Sequence, residues 1–283
     1  KGIRGAAGGV IGVAKMLEQS FSYFNQMGAR QGAGAVYLTV FHPDFDMLMD
    51  SKKINADEKI RLTSLSIGAV IPDKFMELAE KNEIGYAFYP HTIFKKYGVR
   101  LDELNMDEWY DKLVNDADIR KKEINPRQML TRIAQMQQES GYPYVIFIDT
   151  ANKEHTLRDV GKVRMSNLCC EIFQYQTESD INGYSCDNVW GQDISCNLGS
   201  LNIANVMDNK DIENTVETSV RALTFVSDKT SINQVPTIKN GNSKSHAIGL
   251  GAMNLHGYLM RENILYGSEE ALDFANVFFA MIR

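Results

Sequence analysis

Four cysteines stand at positions 169, 170, 186 and 196, and the chain of 283 residues has no others. Their spacing, C-C-x15-C-x9-C, matches no zinc pattern built on CxxC or HxxxH pairs. No metal centre is expected of them. The first two sit in Ser166-Asn167-Leu168-Cys169-Cys170-Glu171, which offers a carboxamide, a thiol and a carboxylate at alternate positions. If this segment is extended, Asn167, Cys169 and Glu171 share one side while Leu168 and Cys170 face the other. A thiol gives up a hydrogen atom or a proton, a carboxylate serves as general base, and an amide fixes a hydroxyl by donating and accepting. Three functions would then converge on one ligand. The alternative is packing: free cysteines are commonly buried, and Glu171 would then belong to a solvated edge. Cys196, in Asp193-Ile194-Ser195-Cys196-Asn197, faces inward if its segment is a strand, and a second thiol facing the first would suit redox work.

The elements that must position these residues follow from periodicity and punctuation. Val13, Leu17, Phe21 and Phe24 fall at helical spacing, with Gly28 closing that helix. A short strand over 35–40 and a helix from His42-Pro43 to Met49 come next. Residues 50–59 are polar and read as a long flexible loop that feeds a β-branched, buried strand ending before Pro72. A helix over 73–81, a strand over 86–89 and short helices near 91–97 and 107–115 lead to the best-marked helix. There Asn125 is the cap, Pro126 the first helical residue, Leu130, Ile133 and Met136 one face, and Gly141 the stop. A buried strand over 144–148 runs into the cysteine region. Beyond it lie a strand within 197–206, a helix over 212–227, a strand near 246–250, and helices from Asn254 and Ser268. Alternating strands and helices, with near-continuous apolar strands, predict an α/β fold with parallel strand pairs covered on both faces.

Composition closes other routes. Acidic side chains number 36 against 30 basic ones, a net charge of −6 and a pI near 5.5, which argues against a nucleic-acid backbone tracker. No apolar stretch approaches the ~20 residues that span a bilayer. Four cysteines are too few for a disulfide-stapled secreted scaffold, so a reducing, cytoplasmic setting is expected. The chain begins Lys1-Gly2-Ile3-Arg4 and stops at Arg283 within a helical pattern. It is expected to be an internal piece of a longer protein, with no domain boundary inside 1–283.

Several strings carry a resemblance. SNLCCEI (166–172), DISCNLGSLNIANVM (193–207), ARQGAGAVYL (29–38) followed by HPD, INADEKIR (54–61), ESGYPYVIF (139–147) and SHAIGLGAMNLHGYL (245–259) are similar, in order, to the large (α) subunit of class Ib ribonucleoside-diphosphate reductase. The resemblance implies part of a ten-stranded α/β barrel, two five-stranded parallel halves packed antiparallel, with a finger loop through the centre. Residues 1–283 would be the central part of that single catalytic domain, truncated at both ends. It implies radical reduction of ribonucleoside diphosphates to deoxyribonucleoside diphosphates for DNA synthesis. Cys169 would carry the thiyl radical that takes the 3′ hydrogen of the ribose. Glu171 would take the 3′-hydroxyl proton, Asn167 would hold the substrate hydroxyls, and Leu168 and Cys170 would line the same substrate site. Cys196 would be one half of a dithiol oxidised to a disulfide, its partner lying before Lys1. The implied partners are a radical-generating small subunit with a dimetal (Mn or Fe) site, a glutaredoxin-like or thioredoxin-like reductant, and a second α subunit. No cofactor is expected to bind this chain itself. A deoxynucleoside triphosphate or ATP effector would meet the polar loop 50–61 through Lys52, Lys53, Asn55 and Arg61, and its phosphates would meet Lys1 and Arg4. The isolated chain is expected to be inactive.

Two readings compete. Cys170 departs from the commoner reductase pattern, and adjacent cysteines at a loop tip resemble the glycyl-radical enzyme pyruvate formate-lyase; a nucleotide-binding or assembly module without chemistry is the other. Cys186 matches no assigned role. Gly249-Leu250-Gly251 reads as a strand-to-helix packing turn, because it lacks the third glycine and acidic residue of a dinucleotide fingerprint. The histidines at 42, 91, 155, 246 and 256 show no paired ligand spacing and read as capping or core residues.

Overall fold

The computed structural model describes residues 8–25, 27–183, 187–230 and 232–283. Lys1, Arg4 and Cys186 lie outside the described residues. The chain divides into two compact units, Lys1–Tyr175 and Gln176–Arg283.

The first unit is built on a parallel sheet of three strands, β1 (Ala35–Thr39), β2 (Ser66–Ile71) and β5 (Tyr144–Phe147), in the order β1-β2-β5. Central β2 carries Ile67, Val70 and Ile71 and is buried along almost its whole length, as a doubly covered parallel strand must be. β5 is at the edge, and only its Ile146 is buried, so the fully buried strand expected there is half exposed. Helices α1 (Val10–Tyr23), α2 (Phe45–Asp50), α3 (Asp73–Glu80), α4 (Pro90–Tyr97), α5 (Met106–Asn115), α6 (Pro126–Ser140) and α7 (Ile148–Glu154) surround it, with a side hairpin of β3 (Gly85–Phe88) and β4 (Lys121–Ile124). The main core gathers Phe41, Phe45, Phe75, Phe88, Ile93 and Leu113, each at most 1% exposed. The Phe41 ring lies 5.8 Å from Phe75 and 5.3 Å from Tyr110. Each such phenylalanine contributes about 3 kcal/mol by leaving water.

In α1 the buried positions are Ile11, Ala14 and Glu18 rather than the expected Val13–Phe24 stripe. Val13 is 56% and Phe24 73% exposed. The helix stops at Tyr23, short of Gly28, with the Phe24 N–H donating to the Ser20 carbonyl at 3.1 Å, and Glu18 takes a place on its buried face because its carboxylate has backbone partners.

The second unit pairs β6 (Asn197–Asn202) in parallel with β7 (Ile248–Met253). Around them lie α8 (Ile203–Asn209), α9 (Ile212–Lys229), α10 (Pro236–Ser245), α11 (Leu255–Arg261) and α12 (Glu269–Ile282). Their core joins Leu201, Ile203, Val206, Leu259 and Phe278. The expected packing turn at Gly249-Leu250-Gly251 is instead part of strand β7. Gly249 serves close packing, since a Cβ on it would stand 2.6 Å from the Leu198 side chain.

Candidate active site

Residues 167–170 form a tight turn. The Cys170 N–H donates to the Asn167 carbonyl at 3.2 Å, and Cys170 takes a left-handed backbone at φ 62°. Strand alternation therefore does not operate here. Cys169 and Cys170 still separate: Cys169 is exposed at the tip, while Cys170 is half-buried with its Sγ 3.8 Å from the Val145 carbonyl. Asn167 organises the turn. Its side-chain oxygen accepts the N–H groups of Glu171 at 3.1 Å and Ile172 at 3.2 Å, and the Ser166 hydroxyl at 3.2 Å. Short carboxamides compete in this way for local backbone donors, which favours turns over strands. A ligand hydroxyl at this residue would thus meet the amide nitrogen, a donor. Glu171 is exposed, one residue beyond the turn, so thiol, amide and carboxylate sit on one short surface feature.

The sheet beneath holds this feature in place. Tyr37, Gly68 and Tyr144 form one row across β1, β2 and β5. The Tyr37 hydroxyl donates to the Asn167 carbonyl at 2.6 Å. Burial, with the neighbouring Cys170 thiol, pushes the Tyr37 hydroxyl well above its ordinary range, so it keeps the proton it donates. At the other end of the row the Tyr144 ring lies 5.2 Å from Tyr142, whose hydroxyl is 3.1 Å from that of Ser66. Sequence reasoning missed Tyr37 and Gly68. The available signals were a tyrosine on the strand face opposite Val36 and Leu38, and a lone glycine inside the β-branched run of β2.

Cys196, in the second unit, immediately precedes β6 and is half-buried. A Cβ built on Gly249 of β7 would lie 3.4 Å from its sulfur. The bare glycine backbone thus forms one wall of the thiol's surroundings. Cys169, Cys170 and Cys196 are all present as thiols.

The sequence profile described as "Ribonucleotide reductase, barrel domain" matches residues 1–283. The chain belongs to the ribonucleotide reductase barrel-domain family. It is 50% identical over 283 residues to the ribonucleoside-diphosphate reductase subunit alpha of Bacillus subtilis (strain 168), covering 100% of this chain and 40% of that protein. The corresponding subunit of Mycoplasma genitalium is 45% identical over 280 residues, 99% of this chain and 39% of that protein. That of Treponema pallidum is 31% identical over 302 residues, 100% of this chain and 36% of that protein. This barrel-domain chain therefore spans about two fifths of the length of these relatives.

In this ribonucleotide reductase barrel-domain chain the polar loop after α2 is closed and tied down. The Leu62 N–H donates to the Ser51 carbonyl at 2.9 Å, and Lys15 of α1 reaches the Glu58 carbonyl at 2.6 Å. Buried Glu18 of α1 accepts the N–H groups of Ser64 at 2.6 Å and Leu65 at 2.9 Å. Burial pushes its carboxyl up, but these bonds and those from the Ser64 hydroxyl and Thr63 outweigh that and hold it below the usual carboxylate range. Of the expected loop residues, Lys52 is buried at 7% exposure. Its ammonium meets the Thr63 carbonyl at 3.3 Å and lies 4.5 Å from the centre of the Tyr142 ring. Burial lowers its pKa, against the opposing charge of Glu18. Lys53 pairs with Asp50 at 2.8 Å, while Asn55 and Arg61 are exposed.

A cavity of about 670 Å³ opens at the carboxyl ends of β1 and β2, with Tyr37, Thr39, His42, Val70 and Arg164 among its walls. Burial lowers the His42 pKa despite Asp44, whose N–H donates to His42 Nδ1 at 3.1 Å. Among the described residues one trio of carboxylates, Asp73, Asp107 and Asp149, has oxygens within 4.8 Å of one another. Asp149 already accepts the Asp73 N–H at 2.7 Å at the start of α3, and burial pushes its carboxyl up. No described helix is long and apolar enough to cross a membrane.

Proposed function

We propose that the protein containing this chain reduces ribonucleoside diphosphates to 2′-deoxyribonucleoside diphosphates, the precursors of DNA. The observation that carries the reading is the sheet-anchored turn that puts Asn167, Cys169 and Glu171 together in a chain matched end to end by the reductase barrel profile. A ribose 2′-hydroxyl is a poor leaving group. Removing the 3′ hydrogen atom to a Cys169 thiyl radical, with Glu171 taking the 3′-hydroxyl proton, labilises the bond from C2′ to its oxygen. Asn167 orients the hydroxyls through its amide nitrogen. The 2′-oxygen departs as water, a dithiol of Cys196 and a second cysteine outside these residues gives two electrons and two hydrogens and becomes a disulfide, and Cys169 returns its hydrogen to C3′. The radical comes from a small partner subunit with a dimetal (Mn or Fe) site, and a glutaredoxin-like or thioredoxin-like protein restores the dithiol in the cytoplasm.

The finer architecture we propose is the ten-stranded barrel, of which 1–283 is the central part of one catalytic domain; the parallel pairing of β1, β2 and β5 and of β6 and β7 supports it. A second α subunit packs on α1, a role supported by its exposed Val13, Met16 and Tyr23. A deoxynucleoside triphosphate or ATP effector meets loop 50–61 through exposed Asn55 and Arg61, with Lys1 and Arg4 at its phosphates, while Lys52 and Lys53 act from within the loop. Cys170, turned towards Val145, has a packing role rather than the relay role of a paired thiol.

The test is product formation by the full-length protein with its small subunit, an effector and a dithiol reductant. Deoxyribonucleoside diphosphate should form, and without reductant one new disulfide containing Cys196 should appear per product. Failure to convert any ribonucleoside diphosphate under any effector would contradict the reading.

A further inference from the structure

The row Tyr37–Gly68–Tyr144 ends under the Asn167 carbonyl, and its geometry does more than fill space. That carbonyl accepts two donors, the Cys170 N–H from inside the turn at 3.2 Å and the Tyr37 hydroxyl from the sheet at 2.6 Å. The second bond spans 130 residues of sequence and ties the turn to β1. On the far side of β2, the Cys170 sulfur approaches the Val145 carbonyl of β5 at 3.8 Å. The turn is thus held from two strands, with the middle strand bare between them. Gly68 has to be bare: a Cβ there would stand 2.2 Å from the Tyr37 ring, well inside any van der Waals contact. The ring lies flat across the glycine, and this aims its hydroxyl at the turn. The φ of Gly68 is not positive, so the requirement for glycine here comes from the ring and not from the backbone.

We propose that Tyr37 is a positioning residue for the Cys169 turn, clamping it through the Asn167 carbonyl, and that Gly68 is the slot that lets the ring reach it. The clamp fixes the height and tilt of a four-residue turn whose tip thiol must meet a single hydrogen atom of its substrate. A misplacement of about 1 Å in such a geometry can cost about a hundredfold in rate. The half-buried, proton-retaining phenol suits this task, because a donor that ionised would release the turn. Only the turnover arm of the test rests on the function proposed above.

The experiment uses the full-length protein with its small subunit. Tyr37→Phe keeps the ring and removes the hydroxyl. Turnover should fall by about tenfold or more, with KM for the diphosphate within about twofold and the thermal midpoint retained, since only the reacting geometry is loosened. Alkylation of Cys170 by N-ethylmaleimide, followed by mass spectrometry of its peptide, should quicken by about threefold or more as the turn opens. Gly68→Ala should reproduce both effects where Tyr37 is present and add nothing in a Tyr37→Ala background, where its Cβ meets no ring. The clamp is overturned if Tyr37→Phe leaves turnover within about twofold, if Cys170 alkylation is unchanged, or if Gly68→Ala has the same effect with and without the ring. Should the unsubstituted protein make no deoxynucleotide, the proposed function falls, and the alkylation rates of the same variants decide the clamp alone.

Discussion

Asn167 and Glu18 show how single polar side chains organise this molecule by accepting backbone N–H groups. Asn167 shapes the 167–170 turn with its side-chain oxygen, and in the proposed chemistry its amide nitrogen is the group that meets the substrate. Glu18 plays the same part beside the loop, where it accepts Ser64 and Leu65 N–H groups from a helix face that is otherwise apolar. Hydrogen bonds to a charged acceptor are worth about 1.5–3 kcal/mol each, and a neutral acceptor is weaker. Glu18→Gln should therefore destabilise the protein by about 1–2 kcal/mol, read as a lower denaturant midpoint. The sign of the pH dependence follows from the lowered carboxyl. Its folded pKa lies below the ordinary 4.5, so its stabilisation is complete above about 4.5 and is lost as pH falls through the lower folded value. In Glu18→Gln that acid-side loss should shrink, and an unchanged acid limb would assign the loss to other groups.

At the scale of elements, the loop after α2 makes a sharper prediction than its composition did. Lysines in a polar stretch suggest solvated cations. Lys52 instead turns inward to Thr63 and Tyr142, and Arg61 stays exposed. Arg61→Ala should weaken effector binding by about fivefold or more, the worth of one charge-assisted contact of about 1 kcal/mol. Lys52→Met should act mainly on thermal stability, and equilibrium binding of a deoxynucleoside triphosphate separates the two. The elements differ in how far sequence reveals them. Helix α6 was legible throughout because its signals are local: Asn125 accepts the Gln128 N–H at 3.0 Å, Pro126 opens the helix, and Gly141 closes it at φ 76°. Strand β4, Lys-Lys-Glu-Ile, was not, since its pairing with β3 decides it. Helix α10 contains Asn240, Gly241, Asn242 and Ser243, all poor helix formers. It forms where Gly241 lets the Asp193 backbone come so close that a Cβ would collide with it. The candidate site divides in the same way. Residue types at 167, 169 and 171 were readable. The turn and its tether to Tyr37 were not, because strand alternation presupposes an extended backbone and the tether joins distant parts of the chain.

At the scale of the molecule, the chain spans about two fifths of its reductase relatives. The chemistry proposed for it needs a second reducing thiol and a route for the radical from another subunit. The 283-residue chain alone, mixed with a competent small subunit, should form no deoxynucleotide, whereas the full-length protein should. The family match covers residues 1–283, and the chemistry proposed for the protein stands on one sulfur atom. The most direct measurement is turnover of a ribonucleoside diphosphate by full-length protein carrying Cys169→Ser, with nucleotide binding measured in the same preparation. A hydroxyl holds its hydrogen too strongly to replace the thiol as a radical carrier, so the account predicts loss of all product with diphosphate and effector affinities within about twofold of the parent. Product formed at the parent's rate would contradict it.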